Sequence, residues 1–202
     1  MDQIDVQKRI FNAAREVFTQ KGFAAASMRE IAEKANVNKG LLHYYKWNKR
    51  KLFLRVFEEA FATFSLRANE IFESDMPIRE KIEAFVSHYM DLLMANPHLP
   101  AFVISELNRH PEEFIRRMMQ QSNRPDPSNF ILQVQLAGEA GQIRPVHPFH
   151  FFLHLLSMCV FPFLARPMIQ GLLKIDGDTY IQLMERRKAE VISFINHSIN
   201  PD

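Results

Sequence analysis

The stretch SMREIAEKANVNKGLLHYYKWNK, Ser27 to Lys49, constrains this chain more than any other, because it specifies two short helices and a tight turn between them. Ser27 can accept a hydrogen bond from the amide of Glu30 while the Glu30 carboxylate reaches back to the amide of Ser27, a capping box that fixes where the first helix begins. Behind it Met28, Ile31, Ala32 and Ala35 fall at i, i+3, i+4 and i+7, one apolar stripe, with Arg29, Glu33 and Lys34 on the other face. The stripe stops at Asn36. Asn38 supplies a second N-cap, and the helix from Lys39 to about Tyr45 offers Leu42 to a core. Two helices, a short turn and a basic outer face are the parts of a helix-turn-helix, a module that reads DNA.

The flanking residues extend the helical pattern in both directions. Val6, Ile10, Ala13, Ala14, Val17 and Phe18 repeat with helical period up to Gly22, which sits where a left-handed cap belongs, so a helix over roughly 4–21 precedes the motif. Asn48 caps a long amphipathic helix that runs through Leu52, Val56, Phe57, Ala60, Phe64 and Ile71 to about Glu73. At 1.5 Å per residue such a helix spans roughly 35–40 Å. Pro77 opens a fifth helix, Ile78 to about Ala95, which Asn96-Pro97 ends. Prolines then punctuate short helices at about 100–109, 111–121 and 126–139. One apolar helix follows from Phe149 to about Gln170, then a loop bracketed by Gly171 and Gly177, then a last helix from Thr179 to about Ser198. No strand, repeat or low-complexity segment interrupts this, so the expected fold class is all-α, with about nine or ten helices.

The charge is unevenly placed. Residues 1–51 carry 11 Lys and Arg against 5 Asp and Glu, a net +6, whereas the remainder carries 14 against 18, a net −4. A basic head on an acidic body suits a head that docks on phosphates. The single cysteine, Cys159, excludes an internal disulfide, and the N-terminus has no signal-peptide pattern, so a cytoplasmic protein is expected. The most apolar run, Phe149 to Ala165, is shorter than the ~20 residues that span a bilayer and holds His150, His154 and Pro162, so no membrane contact is expected.

The segments KRIFNAAREVFTQKGF, SMREIAEKANVNKG, LLHYY and NKRKLF, in this order and spacing, resemble the N-terminal domain of the TetR/AcrR family of transcriptional regulators. The resemblance covers about the first fifty residues. It implies a three-helix DNA-binding helix-turn-helix domain, residues 1–48, joined by the long helix to a ligand-binding and dimerisation domain, residues 49–202. By position-matched resemblance, Asn38, Lys39, His43 and Tyr44 face the major groove, and Gly40 lets the backbone approach a phosphate. Arg29 reaches a base or the backbone, Tyr45 and Lys49 bind phosphates, and the helix behind Ser27 donates amides to another phosphate. Tyr44 or Tyr45 could instead pack in the head core. One position departs from the family: an apolar or aromatic residue usually follows Tyr45, and here it is Lys46, then Trp47. Trp47 is expected to supply the missing bulk through a local change of direction, freeing Lys46 for phosphate.

The resemblance further implies a homodimer formed by the two C-terminal helices, 149–170 and 179–198, bound to a double-stranded, near-palindromic operator. The middle helices would enclose a small hydrophobic or aromatic effector. From the apolar spacing, Tyr89, Leu93, Phe102, Met118, Phe130, Val134, Phe151, Leu155 and Met158 are its expected wall, with His88, Glu106 and His154 orienting it. These readings make the protein a repressor released by its effector. The alternative is a ligand-binding or interaction protein of the same family with a degenerate head that does not read DNA. His147, His150 and His154 have helical spacing for a metal, yet no H-E-x-x-H, G-x-S-x-G or phosphate loop accompanies them. No catalytic residue, metal or cofactor is expected.

Overall fold

A computed structural model describes residues 3–201, and every element among them is helical. In chain order these are α1 (Gln3–Ala25), α2 (Met28–Lys34), α3 (Lys39–Tyr44), α4 (Lys49–Glu73), α5 (Ile78–Ala95), α6 (Leu99–Arg109), α7 (Pro111–Met119), α8 (Ser128–Glu139), α9 (Pro148–Leu164), α10 (Arg166–Leu173) and α11 (Gly177–Ser198). Eleven described helices exceed the nine or ten expected because the apolar helix 149–170 is two. It breaks at Ala165 with a bend of 68°. Pro167 in the first turn of α10 lacks an amide for the preceding turn and clashes with it, so the chain restarts there. Gly171 consequently lies inside α10, and the loop shrinks to the residues around Lys174, which adopts left-handed geometry at φ 53°. No single described helix is long and apolar enough to cross a membrane.

The chain divides into two compact units, the first running up to Ala62 and including Asn96–Met118, the second holding Thr63–Ala95 and the chain from Met119 on. The division differs from the cut after residue 48 expected from sequence, since the first half of α4 and helices α6 and α7 group with the head. Within the first unit, Ile10, Ala14, Phe18, Ile31, Leu42 and Leu52 are buried on facing helices. Aromatic rings extend this core: Phe53 lies 4.7 Å from Phe18 and 4.0 Å from Phe102, and Phe57 lies 5.3 Å from Phe114. Arg50 of α4 donates to Glu106 of α6 at 3.0 and 2.7 Å and to Glu113 of α7 at 3.1 Å, so one guanidinium joins three helices.

The second unit is built on α5, which packs against α8, α9 and α11. Its centre is a group of rings: Phe72 lies 5.0 Å from Phe85 and 5.2 Å from Phe130, and Phe152 lies 6.0 Å from Phe85. Lys81 is fully buried beside them. Its ammonium donates to the carbonyls of Phe72 and Ser74 and to Gln133 Oε1, at 3.1, 2.5 and 2.5 Å, and so satisfies the open carbonyls at the C-terminal end of α4. Burial pushes the pKa of this lysine down.

Candidate functional site

The helix-turn-helix is assembled as its sequence specifies. Glu30 N donates to Ser27 Oγ at 3.2 Å, and Ser27 N donates to Glu30 Oε2 at 3.0 Å, closing the capping box. Lys21 also pairs with Glu30, and these bonds, that of Lys21 first and those of Ser27 next, hold the Glu30 carboxyl below its ordinary pKa. Helix α2 ends in a Schellman turn: Asn36 takes φ 51°, its amide bonds Glu33 O at 3.1 Å, and Val37 N bonds Ala32 O at 3.0 Å. Asn suits that left-handed position because its short polar side chain tolerates it better than most. Asn38 Oδ1 then accepts from Gly40 N at 2.9 Å and starts α3.

Helix α3 is held by one buried residue, Leu42, and offers the rest to solvent. Asn38, Lys39, Gly40 and His43 are exposed, and Tyr44 is 69% exposed. Tyr45 is half-buried, its ring 5.2 Å from that of Tyr44 in an edge-on arrangement, so of the two tyrosines it is Tyr45 that turns toward the head. Arg29 stands free on α2 apart from an exposed bond to Glu33 at 2.7 Å. Two sequence-nominated residues carry additional duties. Lys49 donates to Ala24 O and Ala26 O at 3.1 and 2.8 Å, with its ammonium 4.8 Å from the Phe23 ring centre, so two of its three donors close the corner between α1 and α2. Ser27 spends its own groups on the capping box.

At the end of α3, Lys46 takes φ 54°, is exposed, and Trp47 behind it is half-buried. The expected change of direction is thus present. Sequence gave no sign of the second cation there: Lys51 Nζ lies 3.4 Å from Lys46 O.

The nominated effector wall is divided. Phe102, Glu106 and Met118 lie in the first unit, where the Phe102 ring packs at a tilt against Phe53 and the buried Glu106 is committed to Arg50. Periodicity identifies such residues as inward-facing without saying which neighbours they meet. In the second unit Leu93, Phe130, Val134 and Leu155 are plain buried core. His88 Nε2 is 3.0 Å from Phe64 O with its ring stacked on Phe64, and Tyr89 lies 5.4 Å from the same ring, its phenol pKa pushed up by burial. Phe151, His154 and Met158 line an open groove of about 680 Å³ together with His147, His150 and Phe194. That groove lies between α9 and α11, the two helices nominated for dimerisation. The His147 and His150 rings are 4.7 Å apart, and among the described residues no three His, Cys, Asp or Glu side chains are placed to hold a metal ion.

Comparison with known proteins bears on the head directly. Residues 10–56 match the family model of bacterial regulatory proteins, tetR family. The chain is 25% identical over 194 residues to the transcriptional repressor NicS of Pseudomonas putida, covering 93% of this chain and 87% of that one. It is 26% identical over 145 residues to the HTH-type transcriptional regulator YhgD of Bacillus subtilis, covering 72% and 75%. Residues 10–56 form a TetR-family DNA-binding domain. The chain is a helix-turn-helix transcriptional regulator, similar over most of its length to NicS and YhgD, and regulators of the TetR family bind DNA operators. The TetR-family regulator PfmR of Thermus thermophilus shares the fold, with a TM-score of 0.64 at 17% identity over 92% of this chain and 97% of that one.

Proposed function

We propose that this TetR-family protein is a homodimeric, cytoplasmic repressor that leaves a near-palindromic operator when a small hydrophobic or aromatic effector binds. The observation that carries the operator reading is the surface of α3, where Lys39, His43 and Tyr44 stand exposed on a helix fixed by Leu42 and capped by Asn38. These groups, with Arg29, read base edges. Gly40, Tyr45 and the remaining donor of Lys49 meet phosphates, as do the amides behind Ser27. Residues 1–48 are the reading domain and 49–202 the responding one.

Dimerisation uses α9 and α11. Phe149, Leu153 and Phe161 on α9 and Ile181, Leu183 and Phe194 on α11 are all at least 43% exposed, an apolar surface that a second copy would cover. Two heads roughly 34–36 Å apart then contact successive turns of one DNA face. The effector is accommodated among the rings of the second unit, with His88 and Tyr89 as its polar contacts. Helix α4 has residues in both units, 49–62 in the first and 63–73 in the second, and is the element through which occupancy would bias DNA binding. A coupling of about 1–3 kcal/mol lowers operator affinity roughly 5- to 150-fold.

The test is a fluorescence-anisotropy titration of the DNA flanking the protein's own gene, with Lys39→Ala and Tyr44→Ala alongside. The reading requires that both variants retain the helical circular-dichroism signal and bind at least tenfold more weakly. Unchanged binding by both would remove α3 as the reading surface.

A further inference from the structure

The turn that ends α3 carries one exposed lysine, Lys46, and has a second, Lys51, beside it. Its hydrogen bonds form a Schellman motif, with Lys46 N on His43 O and Trp47 N on Leu42 O, both at 2.9 Å. The same motif ends α2 and α8, and there the left-handed residue is Asn36 or Gly141, the types that tolerate positive φ. At the end of α3 it is a lysine at φ 54°, a conformation that carries a steric penalty for any residue with a Cβ. Lys174 takes the same geometry at the end of α10, so strain alone does not mark a site; at Lys46 it coincides with the end of the DNA-reading helix and with a neighbouring cation.

Charge partners sharpen the point. In the first unit Glu16 pairs with Lys34, Glu30 with Lys21, Glu33 with Arg29 and Glu59 with Arg15. Among the described ion pairs none involves Lys46, Lys51 or Lys39. Lys46 and Lys51 are both exposed, and Lys51 Nζ donates to Lys46 O at 3.4 Å, so the Lys51 ammonium sits at the turn that carries Lys46. Trp47, the next residue, is half-buried while Lys46 is exposed.

We propose that Lys46 and Lys51 form a phosphate clamp, gripping the DNA backbone beside the groove that α3 enters. The left-handed turn is the device that delivers Lys46 to it. The proposal rests on the operator reading and adds to it a contact that supplies affinity and orientation rather than sequence preference.

A duplex selected by the wild-type protein from a random pool is the probe, titrated from low to moderate salt. Lys46→Gly relieves the backbone penalty and removes the charge. Lys174→Gly does the same at the second unit's left-handed lysine, φ 53°, and serves as control. For a dimer, losing one phosphate contact per subunit makes the slope of log affinity against log salt shallower by about 1.8. The clamp requires that loss for Lys46→Gly and a further loss on adding Lys51→Gln, with Lys46→Arg and Lys174→Gly keeping the wild-type slope. A Lys46→Gly slope equal to wild type overturns the clamp while leaving the operator reading intact. A wild-type protein that selects no duplex overturns both.

Discussion

Replacing Gly22 with alanine is the perturbation whose cost can be read most directly from the coordinates. Gly22 lies at φ 71° and ψ 178°, interrupting α1, a region of backbone space open to glycine alone at a cost of about 1–3 kcal/mol for other residues. A Cβ at this position would stand 2.9 Å from Cγ and 3.1 Å from Cβ and Nδ1 of His98. Forcing that ring aside adds an overpacking cost of about 1–3 kcal/mol. Together the two effects predict a loss of about 2–6 kcal/mol in the first unit. At a urea m-value of about 2 kcal/mol/M the midpoint falls by about 1–3 M. The assay is urea unfolding followed by fluorescence of the chain's one tryptophan, Trp47, at fixed protein concentration because dimerisation would contribute to stability. Adding His98→Ala to Gly22→Ala should recover the steric share and leave the backbone share, a coupling of about 1 kcal/mol or more. A Gly22→Ala midpoint within 0.3 M of wild type, a shift worth about 0.6 kcal/mol on the same m-value, would refute both parts of the reasoning.

Glu106→Ala should cost about 2 kcal/mol in the same unfolding assay, because it leaves Arg50 with Glu113 alone; a variant as stable as wild type would show that the buried carboxylate is not holding α4, α6 and α7 together. Cys159 is buried, and burial pushes its thiol up to about 12, so at pH 8 only about one part in 10⁴ is thiolate. Ellman's reagent should therefore label it only after urea is added, and rapid labelling of the native protein would contradict this burial. Phe194→Glu puts a charge on the exposed face of α11 and should shift the sedimenting species from about twice the 23.7 kDa chain to the single chain; a dimer that survives it would move the interface elsewhere.

Features with local causes were legible in the sequence. The caps at Ser27, Asn38 and Asn48 and the bounds of α5 at Ile78 and Ala95 follow from hydrogen bonds and prolines within a few residues of each other. The break at Ala165 is hidden in the sequence because apolar residues continue through it, and Pro167 is its one local sign. Phe102 and Glu106 show a different limit. Their spacing marks an inward face, but whether that face meets an effector or Phe53 and Arg50 is decided by residues about fifty positions away. Lys49 likewise matches a phosphate-binding position by sequence, and only the three-dimensional corner between α1 and α2 reveals the carbonyls it also serves. The left-handed geometry at Lys46 has no compositional sign, since glycine or asparagine would ordinarily announce it.

The most direct test of the central claim is selection of duplexes from a random-sequence pool by the purified wild-type protein at about 150 mM salt. The account predicts enrichment of a near-palindrome whose half-sites lie about one helical turn or a small multiple apart, bound at least ~10³-fold more tightly than unselected DNA. A pool that remains random after repeated rounds, bound no better than it began, would contradict a head that reads DNA.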